Sequence, residues 1–203
     1  MDDILLIGGG GHARSCIDVI ENENIYKIAG FIEHNKSTCN KIFNYPIIGV
    51  DKDLEKLRSE FTYALVVIGQ IKNYRRRERL FSLLKSKKYK IPIIKSPTAY
   101  VSKHSKILEG TIIMHDAVVN AGVRIGANCI INTKALIEHD STIGSHSHVS
   151  TGAIINGEVN VGEGTFIGSG TVIKQLINIG NGCVIDAGCY VKENVKDNKA
   201  LRS

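Results

Sequence analysis

The chain has 203 residues, a formal net charge of +6, 43% hydrophobic residues, few aromatics and no tryptophan. That composition supports a packed, mainly aliphatic core and argues against a disordered chain, and no run nears the ~20 apolar residues of a membrane span. The five cysteines, Cys16, Cys39, Cys129, Cys183 and Cys189, are odd in number and lack a CxxC pair, which argues against a disulfide scaffold or a zinc-thiolate site. They read as small buried hydrophobes in a reducing cytosol. The apolar run Ile4-Leu5-Leu6-Ile7 is too short and too acidic at its start for a signal peptide. A cytoplasmic protein is expected, with no bound metal.

Residues 1–95 read as a small parallel α/β domain of Rossmann-like type. Ile4–Ile7 is a strand and Ala13–Glu21 has helical spacing. Tyr26–Glu33 is a second strand, Tyr45–Val50 an extended piece, and Asp51 an acidic helix start. Thr62–Ile68 is a third strand ending at Gly69. A basic helix spans about Asn73–Ser86, and Ile91–Ile94 is a final strand. Arg75-Arg76-Arg77 and the basic run from Lys85 to Lys90 carry no aromatic platform, so they read as a solvated helix face and no nucleic-acid partner is expected. Gly8-Gly9-Gly10-Gly11-His12-Ala13 fits GxGxxA between a strand and a helix, and Glu33 lies about 20 residues on. Glycines allow close backbone approach to a pyrophosphate, and a helix N-terminus favours an anion. The rest of the chain offers no place for hydride chemistry, so the loop reads as a nucleotide-sugar site.

Residues 96–203 are governed by a period of six. Stepping from Val101 through Ile107, Ile113 and onward to Val191 gives sixteen consecutive Ile or Val. A six-residue period fits neither a helix nor a long strand. It fits a prism in which three hexads close one coil, so that about five coils stack Ile on Ile. The residue after the aliphatic is often Gly or Asn, expected to take positive φ at a corner. The fourth residue after it is often small, as at Ala117, Cys129, Ala135, Ser147 and Ala153.

Three histidines, His139, His146 and His148, fall within ten residues of this prism. An imidazole of near-neutral pKa is the natural base for acyl transfer, and a neighbouring carboxylate can fix its tautomer. Asp140 reaches His139 only if the chain bends at a corner there. Glu138 is the competing partner.

The whole chain resembles the bacterial sialic acid O-acetyltransferase family of sugar O- and N-acetyltransferases, and within it the members that N-acetylate UDP-linked 4-amino-4,6-dideoxy sugars. The motifs that carry the likeness are Ile-Gly-Gly-Gly-Gly-His at the start, Gly30-Phe31-Ile32-Glu33, Val67-Ile68-Gly69, and NTKALIEHDSTIGSHSHVSTGA from Asn132 to Ala153. The resemblance implies a left-handed parallel β-helix, a homotrimer with active sites between subunits, and acetyl-CoA as co-substrate. It makes His139 the general base and Asp140 the residue that raises its basicity. It places His148, Gly157, Ser169 and Ala187 along the acetyl-CoA groove. It assigns Gly10, Gly11, His12, Glu33, His34, Gly69 and Asn132 to the sugar substrate. The expected activity is N-acetylation of a nucleotide-linked 4-amino sugar in surface-glycan biosynthesis. The alternatives are O-acetylation of sialic acid or a related nonulosonate, and a β-helical scaffold with a nucleotide-sensing domain. The chain departs from the family in having Glu33-His34 where two acids are usual, and in lacking a terminal Gly-x-Pro-Ala-Lys/Arg segment.

Overall fold

The computed structural model describes residues 1–34 and 40–202, so the reading of Cys39 falls outside the described residues. The N-terminal elements are β1 (Asp2–Ile7), α1 (Gly11–Glu23), β2 (Tyr26–Glu33), β3 (Lys41–Ile42), β4 (Tyr45–Val50), α2 (Leu54–Leu57), β5 (Tyr63–Val66) and α3 (Arg75–Ser86). They form one sheet in the order β3-β4-β2-β1-β5, parallel except for the β3–β4 hairpin. The interior strand β1 buries Ile4, Leu5, Leu6 and Ile7 on both sides, as an uninterrupted apolar run in a parallel sheet must. Asn24 closes α1 in the left-handed region, with its N–H donating to the Ile20 carbonyl.

Two expected strands change. β5 ends at Val66; just beyond it the Val67 N–H still donates to the Ile7 carbonyl, and the Val66 and Ile68 carbonyls accept from the Arg77 guanidinium. The strand expected over Ile91–Ile94 does not belong to the N-terminal sheet. Ile94–Lys95 pairs with Ile112–Ile113 and opens the prism instead.

From there the chain forms a left-handed parallel β-helix. The first face stacks seven two-residue strands, from Ile94–Lys95 to Ala200–Leu201, the second face six and the third five. Each strand pairs with the one a full coil later, for example Ile131 with Val149 and Ile137 with Ile155. Of the sixteen repeat aliphatics, all from Ile113 to Val191 are buried, and only Val101 and Ile107 at the open end are partly covered.

The corner rule is corrected. The left-handed residue is the third after the aliphatic, as at Asp116, Asn128, Lys134, Asp140, His146 and Glu158. Glycine directly after the aliphatic answers to a different force, close stacking: a Cβ on Gly126 would stand 2.5 Å from the Ser145 nitrogen of the next coil. The small fourth position holds, with Ala117, Cys129, Ala135, Ser147 and Ala153 fully buried. The repeat also outruns Val191. Val195 lies beside Ile179 and Leu201 beside Ile185, a step of sixteen residues where every earlier coil takes eighteen. The shortened coil hides this continuation from a strict six-residue reading.

The three faces differ outside. On the first, Ile112, Ile130, His148 and Phe166 are buried under the N-terminal elements. The third presents Lys106, Arg124, Thr142, Asn160 and Asn178. The second presents Tyr100, Val118, Leu136, Ile154, Val172 and Tyr190, none of them fully buried. Among the described residues no helix is long and apolar enough to cross a membrane.

Candidate functional site

The chemistry-bearing residues fall into separate places on the chain. At the corner between the second and third faces, Asp140 takes φ 58°, and this bend lets two consecutive side chains meet. His139 Nδ1 lies 3.0 Å from Asp140 Oδ2. The competing Glu138 does not bond the ring: its Oε2 accepts from Asn120 Nδ2 at 2.9 Å and from the His139 backbone N–H at 3.4 Å. One coil on, Gly157 lies against the imidazole: a Cβ there would stand 2.7 Å from His139 Nε2. The ring is therefore held at Nδ1 by a carboxylate and presents Nε2 across a bare stretch of backbone.

His148 lies on the outside of the first face, under the N-terminal sheet. Its Nδ1 donates to the Gln70 carbonyl at 2.7 Å, and Nε2 accepts from Asn132 Nδ2 at 3.2 Å. Its ring meets Phe166 edge-on and lies 6.3 Å from the His12 ring. Burial, aided by the charge of Arg77, pulls the His148 pKa down to about 4, although the bond to Gln70 opposes the fall. His12 is pulled down to about 3 by burial, then by Arg77 and His148. Both rings are neutral at physiological pH. Gly69 packs on His12, where a Cβ would lie 3.3 Å from the histidine Cβ. Among the described residues, His12 Nε2 and Gln70 Oε1 are buried without a partner.

The glycine loop begins α1. Gly10 is the N-cap, and among the described residues neither Gly10 nor Gly11 has a neighbouring atom within 4 Å of where a Cβ would stand. Gly9 is the reverse: the Glu33 carboxylate and Ile42 lie against it and leave no room for a Cβ. His34 Nδ1 pairs with Asp51 Oδ2 at 3.2 Å, and Arg79 reaches the same oxygen at 3.6 Å. Ser169 and Ala187 stand on successive coils at the corner between the first and second faces, with Ser169 Oγ 2.9 Å from Ser150 Oγ.

The structure thus joins His12, Gly69, Asn132 and His148 in one cluster, and Gly10, Gly11 and Glu33 in the loop. It sets His139, Asp140 and Gly157 on a different corner. A corner of a triangular prism points away from the face opposite it, so His139 and His148 of one chain do not share a site.

Two residues of this region escape a sequence reading. Gln70 holds His148 through its backbone and Gly164 through its side chain. Arg77, expected on a solvated face, is buried; it donates to Asn128 Oδ1 and the Asn128 carbonyl, both at 2.9 Å. Its position was legible: Arg77, Leu80, Phe81 and Leu84 follow the i, i+3, i+4, i+7 spacing of one buried helix face.

Two other clusters resemble sites. Glu78, His146 and Glu163 bring potential ligand atoms within 4.8 Å of one another. Arg77 fixes the Asn128 amide, whose Nδ2 then donates to His146 Nδ1 at 2.8 Å. The neutral ring carries its proton on Nε2 and keeps no lone pair for a metal. Ser96, His115 and Asp18 form a hydrogen-bonded row, 2.7 Å at each step, but Ser96 is fully buried. This row ties α1 to the prism and offers no nucleophile to a substrate.

Residues 3–84 match the family model described as the PglD N-terminal domain, and residues 104–139 match the bacterial transferase hexapeptide model (six repeats). A comparison with curated protein sequences gives no match. Among solved structures, a variant of perosamine N-acetyltransferase from Caulobacter crescentus, in complex with CoA and GDP-perosamine, superposes with a TM-score of 0.91 at 26% identity, covering 98% of this chain and 93% of that one. The acetyltransferase domain of PglB from Neisseria gonorrhoeae, in complex with acetyl coenzyme A, gives 0.91 at 26% identity, covering 99% and 96%. WeeI from Acinetobacter baumannii shares the fold, with a TM-score of 0.88 at 21% identity, covering 100% and 97%.

Proposed function

We propose that this chain, which joins a PglD N-terminal domain to hexapeptide repeats, transfers acetyl from acetyl-CoA to the amine of a nucleotide-linked 4-amino sugar. The observation that carries the reading is the His139–Asp140 pair with Nε2 exposed over Gly157. The likeness to perosamine N-acetyltransferase, whose own acceptor is GDP-perosamine, supports the substrate class. In this reading residues 1–95 hold the sugar nucleotide, on Gly10, Gly11, His12, Glu33, His34 and Gly69. Residues 96–203 perform the transfer.

Asp140 holds the proton of His139 on Nδ1, so Nε2 has the lone pair needed to take a proton from the acceptor amine. As the amine attacks the thioester carbonyl, the imidazolium that forms is stabilised by the Asp140 carboxylate. A backbone N–H at Gly157 is positioned to stabilise the oxyanion, because the missing side chain lets the carbonyl approach. The C–S bond breaks, and the proton on Nε2 is available to the departing thiolate. Asn132 and His148 line the acceptor side as neutral hydrogen-bonding groups, while Ser169 and Ala187 bound the pantetheine arm.

Such a site needs both edges of the second face, and these come together in a homotrimer. The outward row from Tyr100 to Tyr190 is apolar from end to end, in contrast to the polar third face. A contiguous apolar face of this kind favours association. Closed threefold packing through one face is heterologous, so one edge of a copy meets the opposite edge of the next. His139, Asp140 and Gly157 lie on one edge; Asn132, Ser169 and Ala187 lie on the other. Three composite sites result.

The test is thiol release from acetyl-CoA in the presence of nucleotide-linked 4-amino sugars, with free or CMP-linked sialic acid as the competing acceptors. Release with an amino-sugar nucleotide that is lost in His139→Ala supports the reading. Release with sialic acids alone would move it to O-acetylation, and no release with any acceptor would refute it.

A further inference from the structure

Arg77 is a buried cation without a buried anion. It is 1% exposed and enters none of the ion pairs among the described residues. Burial lowers its pKa to about 10, so it stays charged at physiological pH. The other buried residues of α3, Leu80, Phe81 and Leu84, are apolar, and packing alone would be served better by a fourth apolar side chain than by an unpaired charge. Such a departure from the local pattern points to a task other than packing. The guanidinium is a rigid fork, and its arms reach two parts of the chain. Nη1 donates to the Ile68 carbonyl and, at 3.4 Å, to the Val66 carbonyl, in the segment that follows β5. Nη2 donates to the Asn128 carbonyl and to Asn128 Oδ1 on the prism, both at 2.9 Å.

Two residues beyond Ile68, the Gln70 carbonyl accepts the Nδ1 proton of His148 at 2.7 Å. That bond leaves the lone pair of the neutral ring on Nε2. Nε2 in turn accepts from Asn132 Nδ2 at 3.2 Å, while Asn132 Oδ1 accepts from the Thr133 N–H at 2.8 Å. Held on both sides, the Asn132 amide has one N–H left for a further partner.

We propose that Arg77 is a positioning residue for the transfer: by clamping the Ile68–Gln70 segment to Asn128 of the prism, it keeps the His148 proton on Nδ1 and so keeps Asn132 a hydrogen-bond donor at the acceptor side. This rests on the reading above that Asn132 and His148 line the acceptor side, and adds the residue that sets their polarity. The group that meets Asn132 must then offer a lone pair, as a carbonyl or hydroxyl oxygen does and an ammonium does not. Without the clamp the Gln70 carbonyl is no longer fixed against the ring, the proton distributes over both nitrogens, and Asn132 loses its acceptor.

Two-bond 15N–1H correlation spectra of the full-length protein, labelled at the histidine ring nitrogens, read the tautomer without any substrate, and His148→Gln identifies the signal. The wild-type ring is expected to be neutral at pH 7 with its proton on Nδ1. Arg77→Lys keeps the charge and loses the fork. It should show both tautomers of His148. It should also raise KM for the acceptor about tenfold, the loss of one well-made hydrogen bond, and leave KM for acetyl-CoA within about twofold. Asn128→Gly removes the Oδ1 acceptor from the prism side and suits the left-handed backbone there, φ 55°. It should move both readouts the same way and by less. A wild-type His148 with its proton on Nε2, a tautomer and acceptor KM unchanged in both variants, or KM values for both substrates rising alike would overturn the assignment. Unfolding of both variants would also overturn it, leaving Arg77 a structural role alone. A His148 tautomer that follows Arg77 in a protein without acetyl transfer would refute the transferase reading alone. Acetyl transfer with tautomer and acceptor KM indifferent to Arg77 would refute this assignment alone.

Discussion

His139 Nδ1 and Asp140 Oδ2 lie 3.0 Å apart although the two residues are consecutive. In an extended strand they would point to opposite sides; the left-handed turn at Asp140 swings the carboxylate back onto the ring. In the proposed transfer the carboxylate fixes a tautomer and meets a developing positive charge, so its loss is expected in the chemical step. Asp140→Asn should lower kcat roughly 10²-fold with little change in KM for acetyl-CoA. Steady-state kinetics at several acetyl-CoA concentrations measures both. A rise in KM at constant kcat would show instead that Asp140 serves binding.

Gly157 gives a sharper test, because nothing about its backbone demands glycine: it is not among the residues of positive φ. The three atoms nearest to where a Cβ would stand all belong to the His139 ring, the first at 2.7 Å. Gly157→Ala should leave the thermal midpoint of unfolding near that of the wild type and lower kcat by about 10² or more, by displacing the ring from line with the thioester. Full activity in this variant would mean that the transfer does not occur over this residue.

Much of this was legible in the residues, and the gaps have physical causes. Sixteen aliphatics at a fixed step could only be a stacked prism, because no other arrangement buries every sixth side chain. The positive-φ position was misplaced because Gly serves two needs in the repeat, closing a corner at Gly122 and letting coils touch at Gly126 in the next hexad. The last coil was missed because two residues are absent from its period. The His139–Asp140 contact depends on one backbone angle, which the residue type Asp permits without requiring. The burial of Arg77 was hidden by its neighbours, Arg75 and Arg76, which do face solvent, so that composition masked spacing.

The buried neutral histidines make stability depend on acid. His148 falls from 6.5 to about 4 and His12 from 6.5 to about 3 on folding. Between those values the unfolded chain binds more protons than the folded one. Stability is therefore whole above pH 6.5 and falls as the pH drops towards 4, by up to about 1.4 kcal/mol per pH unit for each group. Urea unfolding midpoints between pH 7 and pH 4.5 should decline, and His148→Gln should flatten the slope. A midpoint that holds steady over that range would contradict the buried, neutral state of both rings.

The apolar second face makes assembly separable from folding. Ile154 sits mid-row between Leu136 and Val172 and is half-buried in the single chain. In the proposed trimer Ile154→Glu places a charge within the subunit contact, which costs several kcal/mol per interface unless the interface opens. Sedimentation velocity should show a monomer with the circular dichroism of the wild type and no transferase activity. An Ile154→Glu protein that remains a trimer would place the subunit contact on another face.

The proposed composite site also predicts rescue. His139 and Asn132 lie on opposite edges of the second face, so a chain lacking one still carries the other intact. His139→Ala and Asn132→Ala homotrimers should each be nearly inactive, since every site has lost one edge. When the two chains are co-expressed with different tags and the mixed trimers purified, some sites join the intact His139 edge of one copy to the intact Asn132 edge of the next. In every trimer that holds both kinds of chain one of the three ordered contacts is of that kind, so about a third of the sites are whole. Recovery of about that share of wild-type activity in the mixed pool, and in neither homotrimer, is the expected result. If each chain held a whole site, every site in the mixture would still lack one residue, and no activity would return.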